Sequence, residues 1–265
     1  MLFMNLLFSC SELNTLRQNL FSERLKHCRY LLTFVEKPEK ISNAMFFQQF
    51  YHSALPKHFS ALLAEPQKAT ISIWQRYWLN GFIMHWVWLL HKHQLHLVLS
   101  EQGTALDLTT SGKIKGFLIN LSYTPVRQVR NQSDILHAYQ QLKQFLSPIF
   151  NRLTAVSRLN EAVFWHNCAN LIEFSLKELE AEGIDVSETY RQILLEKKWT
   201  GYEWSPFYNA VEYIAFPELP FPQPVRLRKV CCHAHLDNKN DYCGNCPKLK
   251  KLPKEELSEL VKKWG

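Results

Sequence analysis

Glycine is scarce in this chain, at 8 of 265 residues. So little of it argues against an all-β architecture, which needs many tight turns. The glycines that are present never fall as G-x-G-x-x-G and never open a phosphate-binding loop, so no Rossmann-type nicotinamide or flavin site is expected. No apolar run reaches the ~20 residues that a membrane span requires. The longest, YWLNGFIMHWVWLL from Tyr77 to Leu90, is interrupted by Asn80 and His85 and reads as a buried core helix. There is no internal repeat and no low-complexity run. The start, MLFMNLLFSC, is apolar and carries a cysteine at position 10 in the manner of a lipoprotein cleavage site. It lacks a positive n-region and its apolar run is short. The expected location is therefore the cytoplasm, whose reducing conditions favour metal binding or redox chemistry over disulfides for clustered cysteines.

What is present supports a large core. Hydrophobic residues make up 46% and aromatic residues 13% of the chain, which argues against disorder. The fold class read from the pattern is α+β, mostly helical. Residues 1–224 form a helical body with a small antiparallel sheet near 95–121, and residues 225–265 form a cysteine-rich C-terminal segment. A helix capped at Ser11 is expected through ELNTLRQNLFSERLKHCRYLLTF, and a second from Asn43 to a break near Pro56. A third runs from about Ala69 to Leu90, where Trp74, Tyr77, Trp78, Gly81, Phe82, His85, Trp88 and Leu89 recur at i, i+3, i+4 spacing. Beyond Gly81 it is apolar almost all round, which predicts a central position.

The stretches HLVLS, TALDLT and GKIKGFLINL are short, and β-branched or alternating, and predict the sheet. After Ser133 helices return, over Asp134 to Thr154 with a bend at Pro148, over Glu161 to Glu182 with a stop at Gly183, and briefly after Ser187. Between Thr200 and Pro224 the periodicity fails and five of the twelve prolines fall, which predicts an extended connector. The final PKEELSELVKKW predicts a short amphipathic helix.

The formal net charge is +7, which suits an anionic ligand or surface, including the inner face of a membrane. Ten Lys or Arg and five Asp or Glu lie between Arg226 and Gly265, so +5 of that charge sits beside the cysteines. Four of the seven cysteines fall within sixteen residues: Cys231, Cys232, Cys243 and Cys246. A structural zinc site draws its ligands in chelating pairs. Cys243-Gly-Asn-Cys246 fits that spacing, but the adjacent Cys231 and Cys232 point to opposite sides of an extended chain. A two-iron cluster is wider and accepts four thiolates on two irons. Arg226, Arg228, Lys229, Lys248, Lys250 and Lys251 either offset such a charge or form a solvated face. His233 and His235 are expected to be exposed.

The spacing C-C-x10-C-x2-C near the end of the chain resembles the signature of the FhuF-like ferric siderophore reductases. ISIWQRYWLNGF and VFWHNCANLIEF resemble two helices of that family, the second placing Trp165 and Asn167 at matching positions. The resemblance implies that Cys231, Cys232, Cys243 and Cys246 ligate a [2Fe–2S] cluster, and that the protein reduces a ferric siderophore by one electron. It also implies that Trp165 and Asn167 stand behind the ligands. With no dinucleotide motif, the electron is expected from a separate donor, a ferredoxin or a reduced flavin, and no nucleic acid is expected as a partner.

Other features read as structural. Cys168 shares an apolar helix face with Phe164, Leu171 and Ile172, and Cys10 and Cys28 lack nearby partners. His85, His91, His93 and His96 straddle a helix-to-strand change and read as structural or solvated. Trp74, Trp78, Trp86 and Trp88 read as core. Two rival functions stay open: a zinc-stabilised nucleic-acid-binding protein, and a siderophore-handling iron–sulfur protein without reductase activity.

Overall fold

The computed structural model describes residues 5–6, 8–21, 25, 31–37, 41, 44–49, 68–110, 113–199, 203–216, 223–236 and 242–264. These form an α+β structure that is mostly helical. Among them no helix is long and apolar enough to cross a membrane.

Strand β1 (Asn5–Leu6) precedes helix α1 (Cys10–Gln18). The cap of α1 is Ser9 rather than Ser11. Its side chain accepts from the Glu12 N–H, and Glu12 reaches back to the Ser9 backbone in a capping box. The helix also ends far earlier than its sequence periodicity suggests. The segment read as its continuation holds strand β2 (Leu32–Val35) instead. There Asn14 of α1 donates to the Phe34 carbonyl at 2.9 Å and accepts from the Phe34 N–H at 3.0 Å. A helix side chain thus substitutes for a neighbouring strand. The helix expected from Asn43 begins instead as a strand, β3 (Ala44–Phe46), with helical backbone described at Gln48 and Gln49, and residues 50–67 lie outside the described residues.

Helix α2 (Lys68–Lys92) is followed by β4 (Leu95–Leu97), β5 (Thr104–Leu108), β6 (Ile114–Asn120) and β7 (Val126–Gln128). The sheet expected near 95–121 divides in two. β5 and β6 pair antiparallel within a four-stranded mixed sheet of order β2-β6-β5-β3, where β2 runs parallel to β6. β4 joins β7 and β1 in a separate antiparallel sheet. Close approach is specific here: a Cβ on Gly81 would lie 3.1 Å from the Leu31 Cβ, and one on Gly116 would lie 3.0 Å from the Leu31 carbonyl. These two glycines let α2 and β6 close on the entry to β2.

Helix α3 (Gln132–Ser157) is capped by Asn131, one turn boundary earlier than Ser133, and carries Pro148 in its interior. Helix α4 (Glu161–Ala181) is capped by Asn160, and Gly183 follows in the left-handed region at φ 82°. Helix α5 (Ser187–Tyr190) runs on as a π-turn through Leu195. The expected connector contains strand β8 (Val211–Ile214), which pairs antiparallel with β9 (Val225–Arg228). Short 3-10 turns at Ala234–Leu236 and Pro247–Lys251 lead to helix α6 (Lys254–Trp264).

Two hydrophobic cores result. The large one centres on α2, every residue of which from Gly81 to Leu90 is buried. Phe82 stacks on Phe117 at 4.6 Å between ring centroids, with Phe47, Trp78 and Phe145 around them. The small core comprises Phe216, Leu227, Cys246, Leu249, Leu257 and Leu260. Leu257 and Leu260 come from one face of α6, whose Glu255 and Glu256 open the helix and whose Lys262 and Lys263 close it, in the sense its dipole favours.

Candidate metal centre

Strand alternation joins the two cores. Along β9, Leu227 points into the small core, while Arg226 and Arg228 point the other way, onto α4. Helix α4 meets them with Asn167, Asn170 and Glu173, spaced three apart on one face. The Arg228 guanidinium donates to Asn167 Oδ1 at 3.0 Å. Arg226 donates to the Asn170 carbonyl at 2.6 Å and through Nε to Glu173. Glu173 is fully buried and also accepts from the Tyr213 and Tyr190 hydroxyls. The Arg228 N–H donates to the Asn245 carbonyl at 2.9 Å, and the Asn245 side chain donates to Asn170 Oδ1 at 3.1 Å. The C-x-x-C turn is thus held against both β9 and α4.

This frame brings all four C-terminal cysteines together. Adjacency is resolved by division: Cys231 meets Cys246, and Cys232 meets Cys243. Cys243 and Cys246 also meet each other, so the four sulfurs are linked in series. Past Cys232 the chain turns at His233, in the left-handed region at φ 60°. The His233 N–H then donates back to Cys231 Sγ at 3.4 Å. Cys232 and Cys246 are buried, and Cys231 and Cys243 are half-buried. Protons divide the same way. A hydrogen bond from Cys246, helped by the His233 N–H, holds the Cys231 thiol down at about 5. Hydrogen bonds from Cys232 and Cys246 hold Cys243 far below the usual thiol range. The two donors, Cys232 and Cys246, are pushed well above it.

The charge that matches these sulfurs is Arg228. Its side chain is fully buried, and it donates through one nitrogen to Cys232 Sγ at 2.9 Å and Cys243 Sγ at 2.8 Å. No carboxylate pairs with it among the described residues. Burying an unpaired guanidinium costs several kcal/mol, so a full burial of this kind requires anionic sulfur beside it. Burial works against its charge, but Cys243, Cys232 and Cys246 outweigh that and hold its pKa above the ordinary value. Arg76 of α2 adds a second cation, donating to Cys232 Sγ at 3.4 Å. The donor set therefore fits a metal–thiolate group: four sulfurs, two guanidinium groups as countercharge and a backbone N–H aimed at sulfur. Its present geometry is that of linked thiols. Among the described residues, no three or more His, Cys, Asp or Glu side chains are grouped so as to hold a metal ion.

The other expected positions separate. Asn167 stands behind the cysteines, through Arg228, and donates to Gln75 Oε1 at 2.8 Å and Ser72 Oγ at 3.3 Å. Trp165 does not. Its indole donates to Glu161 at 2.6 Å and its ring packs on Phe150 and Phe207 in the large core. Cys168 is buried in that core, where desolvation raises its pKa, and Cys10 is half-buried in the first turn of α1. Cys28 lies outside the described residues. The histidines do not gather: His85 packs on Phe21, His91 contacts the Tyr139 hydroxyl, and His96 lies against Trp86. Trp74, Trp78, Trp86 and Trp88 are buried in the core as expected. His233 and His235 are half-buried rather than exposed. His235 stacks on Tyr242 and sets Nδ1 3.8 Å from Cys231 Sγ. Of the basic neighbours, Lys250 pairs with Glu212, Lys229 with Asn209, Lys248 with His235 at 2.7 Å, and Lys251 is exposed.

A cavity of about 420 Å3 opens beside the sulfurs. Its walls include Arg76, Tyr77 and Asn80 from α2, Asn167 and Asn170 from α4, and Cys243 itself. The size lies within the ~300–1,000 Å3 range of small-molecule sites. The sequence pattern did not single out Arg76, Asn170 or Glu173, and placed Tyr77 and Asn80 only as members of a core helix. The signal was available: polar residues at three- and four-residue spacing interrupt two otherwise apolar helices. In comparisons with known proteins, no family model matches the chain and no curated protein matches it significantly.

Proposed function

We propose that this protein is a ferric siderophore reductase, with Cys231, Cys232, Cys243 and Cys246 holding a [2Fe–2S] cluster. The observation that carries the proposal is that Cys243, one of the four convergent thiols, forms part of the wall of the 420 Å3 cavity. The resemblance of the cysteine spacing to the FhuF-like family points the same way. When bound, such a cluster supplies electrons one at a time, at a potential tuned by charge and by hydrogen bonds to sulfur.

The chain's own residues define the rest. Arg228 and Arg76 offset the negative charge at Cys232 and Cys243. The buried Cys232 and Cys246 keep water from two of the sulfurs, while the half-buried Cys243 brings a third to the cavity wall. The body supplies the opposite wall through α2 and α4. The substrate is Fe(III) gripped by hard oxygen donors. One electron makes it Fe(II), which such donors hold far less well, so the metal is released and the chelator takes up protons in its place. The electron enters from a separate ferredoxin or reduced flavin.

The test is a visible and EPR spectrum of anaerobically purified protein, followed by reduction and mixing with a ferric siderophore in the presence of an Fe(II)-trapping dye. Iron, acid-labile sulfide and trapped Fe(II) are expected. A colourless, zinc-loaded protein, or a reduced cluster that a ferric siderophore does not reoxidise, overturns the proposal.

A further inference from the structure

The face of α2 beside the sulfurs has a composition that selects a class of ligand. Ile73, Arg76, Tyr77 and Asn80 fall at i, i+3, i+4 and i+7, so one stripe of the helix lines the cavity. Among the described residues that line it, Arg76 is the sole charged side chain and none is a carboxylate. Its contact with Cys232 Sγ at 3.4 Å engages a single nitrogen of the guanidinium, which carries five N–H donors in all. The carboxamides of α4 are largely committed, Asn167 to Arg228, Gln75 and Ser72, and Asn170 to Asn245. Tyr77 stands at the mouth with 70% of its surface exposed. Tyr77 and Asn80 also line a second, smaller cavity of about 110 Å3, where Lys115, 3.7 Å from Asp107 Oδ1 and half exposed, is the charged wall residue among those described. Two adjoining cavities with a shared wall thus carry one cation each.

We propose, building on the reading of this cavity as a siderophore site, that the α2 face selects chelates bearing net negative charge. Arg76 reads the charge beside the sulfurs, Tyr77 provides an aromatic platform, and Lys115 receives an anionic arm extending into the smaller cavity. A cleft walled by one sign of charge raises the local concentration of an opposite-signed ligand. A charge-assisted hydrogen bond to a guanidinium adds a further preference.

The probes are three derivatives of one linear trihydroxamate chelator whose terminal amine is free, acetylated or succinylated. The metal environment is then identical, and the periphery carries +1, 0 or −1. Loaded with redox-inert Ga(III), they are titrated onto the purified holoprotein at low ionic strength, with tryptophan and tyrosine fluorescence as the readout. Loaded with Fe(III), they are mixed with the reduced protein and reoxidation is followed. The succinylated gallium complex is expected to bind about tenfold more tightly than the free-amine form, the scale of one charge-assisted contact. Arg76→Gln should collapse most of that ratio. Because Arg76 also touches Cys232, Lys115→Gln serves as an independent variant remote from the sulfurs. It should reduce the ratio about two- to threefold, the scale of an exposed charge, and leave the spectrum of the metal centre unchanged. Equal affinities for the three gallium complexes, no binding of any, or ratios that both variants leave intact overturn the inference. If the gallium complexes bind in the expected order but the ferric complexes do not reoxidise the protein, the charge selection stands and the reductase reading falls.

Discussion

The body and the C-terminal segment bury their interiors by different means. The body closes around α2 with a large set of aliphatic and aromatic side chains. The small core around the C-terminal segment has six buried apolar residues among those described, five from the segment, Cys246 included, and Phe216 from the connector before it. A core that small rarely stabilises a fold alone, and natural small folds add a metal, disulfides or further cross-links. Here the cross-links are polar: Arg226 to Glu173, Arg228 to Asn167, and Asn245 to Asn170. The cysteines sit where the two regions meet. The comparison teaches that the thiols are placed by a buried charge network on α4 more than by packing, so the two regions should fail differently.

The largest expected effect is on the metal centre alone. Cys232→Ser or Arg228→Met should abolish or strongly diminish the visible and EPR signals and the bound iron, whereas Cys168→Ser should leave them unchanged. Arg228→Met removes the countercharge at near-constant volume, so circular dichroism should still report a folded body. A metal signal that survives Arg228→Met would break the proposed dependence on buried charge.

Next come the two cores. Phe82→Ala, at the stacked centre of the body, should cost about 3–5 kcal/mol of global stability in denaturant unfolding. Leu260→Ala should be felt locally, as faster hydrogen exchange over residues 223–264 with little change in the body. Coincident loss of protection in both regions would show that they unfold as one unit. Glu173→Gln should cost about 3 kcal/mol, because it leaves Arg226 beside a neutral amide in a buried site. Its mark should be loosening of β8–β9 in the same exchange experiment.

The smallest effect concerns the body's response to acid. Burial pushes His96 down to about 3, with Arg127 and His137 adding to the shift. Its unfolded value is near 6.5, so below that pH the unfolded chain takes up a proton that the folded chain refuses. Stability should therefore fall as pH drops from 6.5 towards 3, by at most about 1.4 kcal/mol per pH unit from this residue. His96→Gln should flatten that part of the profile in pH-dependent thermal unfolding. An unchanged slope would sink the assignment.

Much of the body was legible in the sequence because its helices are long and periodic. The apolar stripe of α2, the Gly183 stop of α4 and the Pro148-containing α3 all emerge close to where the pattern places them. The first fifty residues were not legible in the same way. Leu32–Val35 and Ala44–Phe46 are short, and a run of four apolar residues fits a helix as well as a strand until a partner is known. Their partners, Phe117–Asn120 and Ala105–Asp107, lie 59 to 85 residues away. The expected connector concealed β8 for the same reason, since its partner β9 lies beyond the prolines.

At the candidate site, the identity of the four cysteines and the neighbourhood of Asn167 could be read from spacing and resemblance. What folding alone decided is which charges face the sulfurs. Arg228 and Lys229 are adjacent in the chain, yet one is fully buried against two thiols and the other is exposed, because strand alternation turns neighbouring side chains to opposite faces. Arg76 stands 156 residues from Cys232 and reaches its sulfur through the packing of α2 beside α4. Sequence by itself determined the presence of four clustered thiols and the helical scaffold, since both follow from residue type and local period. The tertiary structure decided the charge around the thiols and the cavity beside them, since both depend on contacts between segments far apart in the chain.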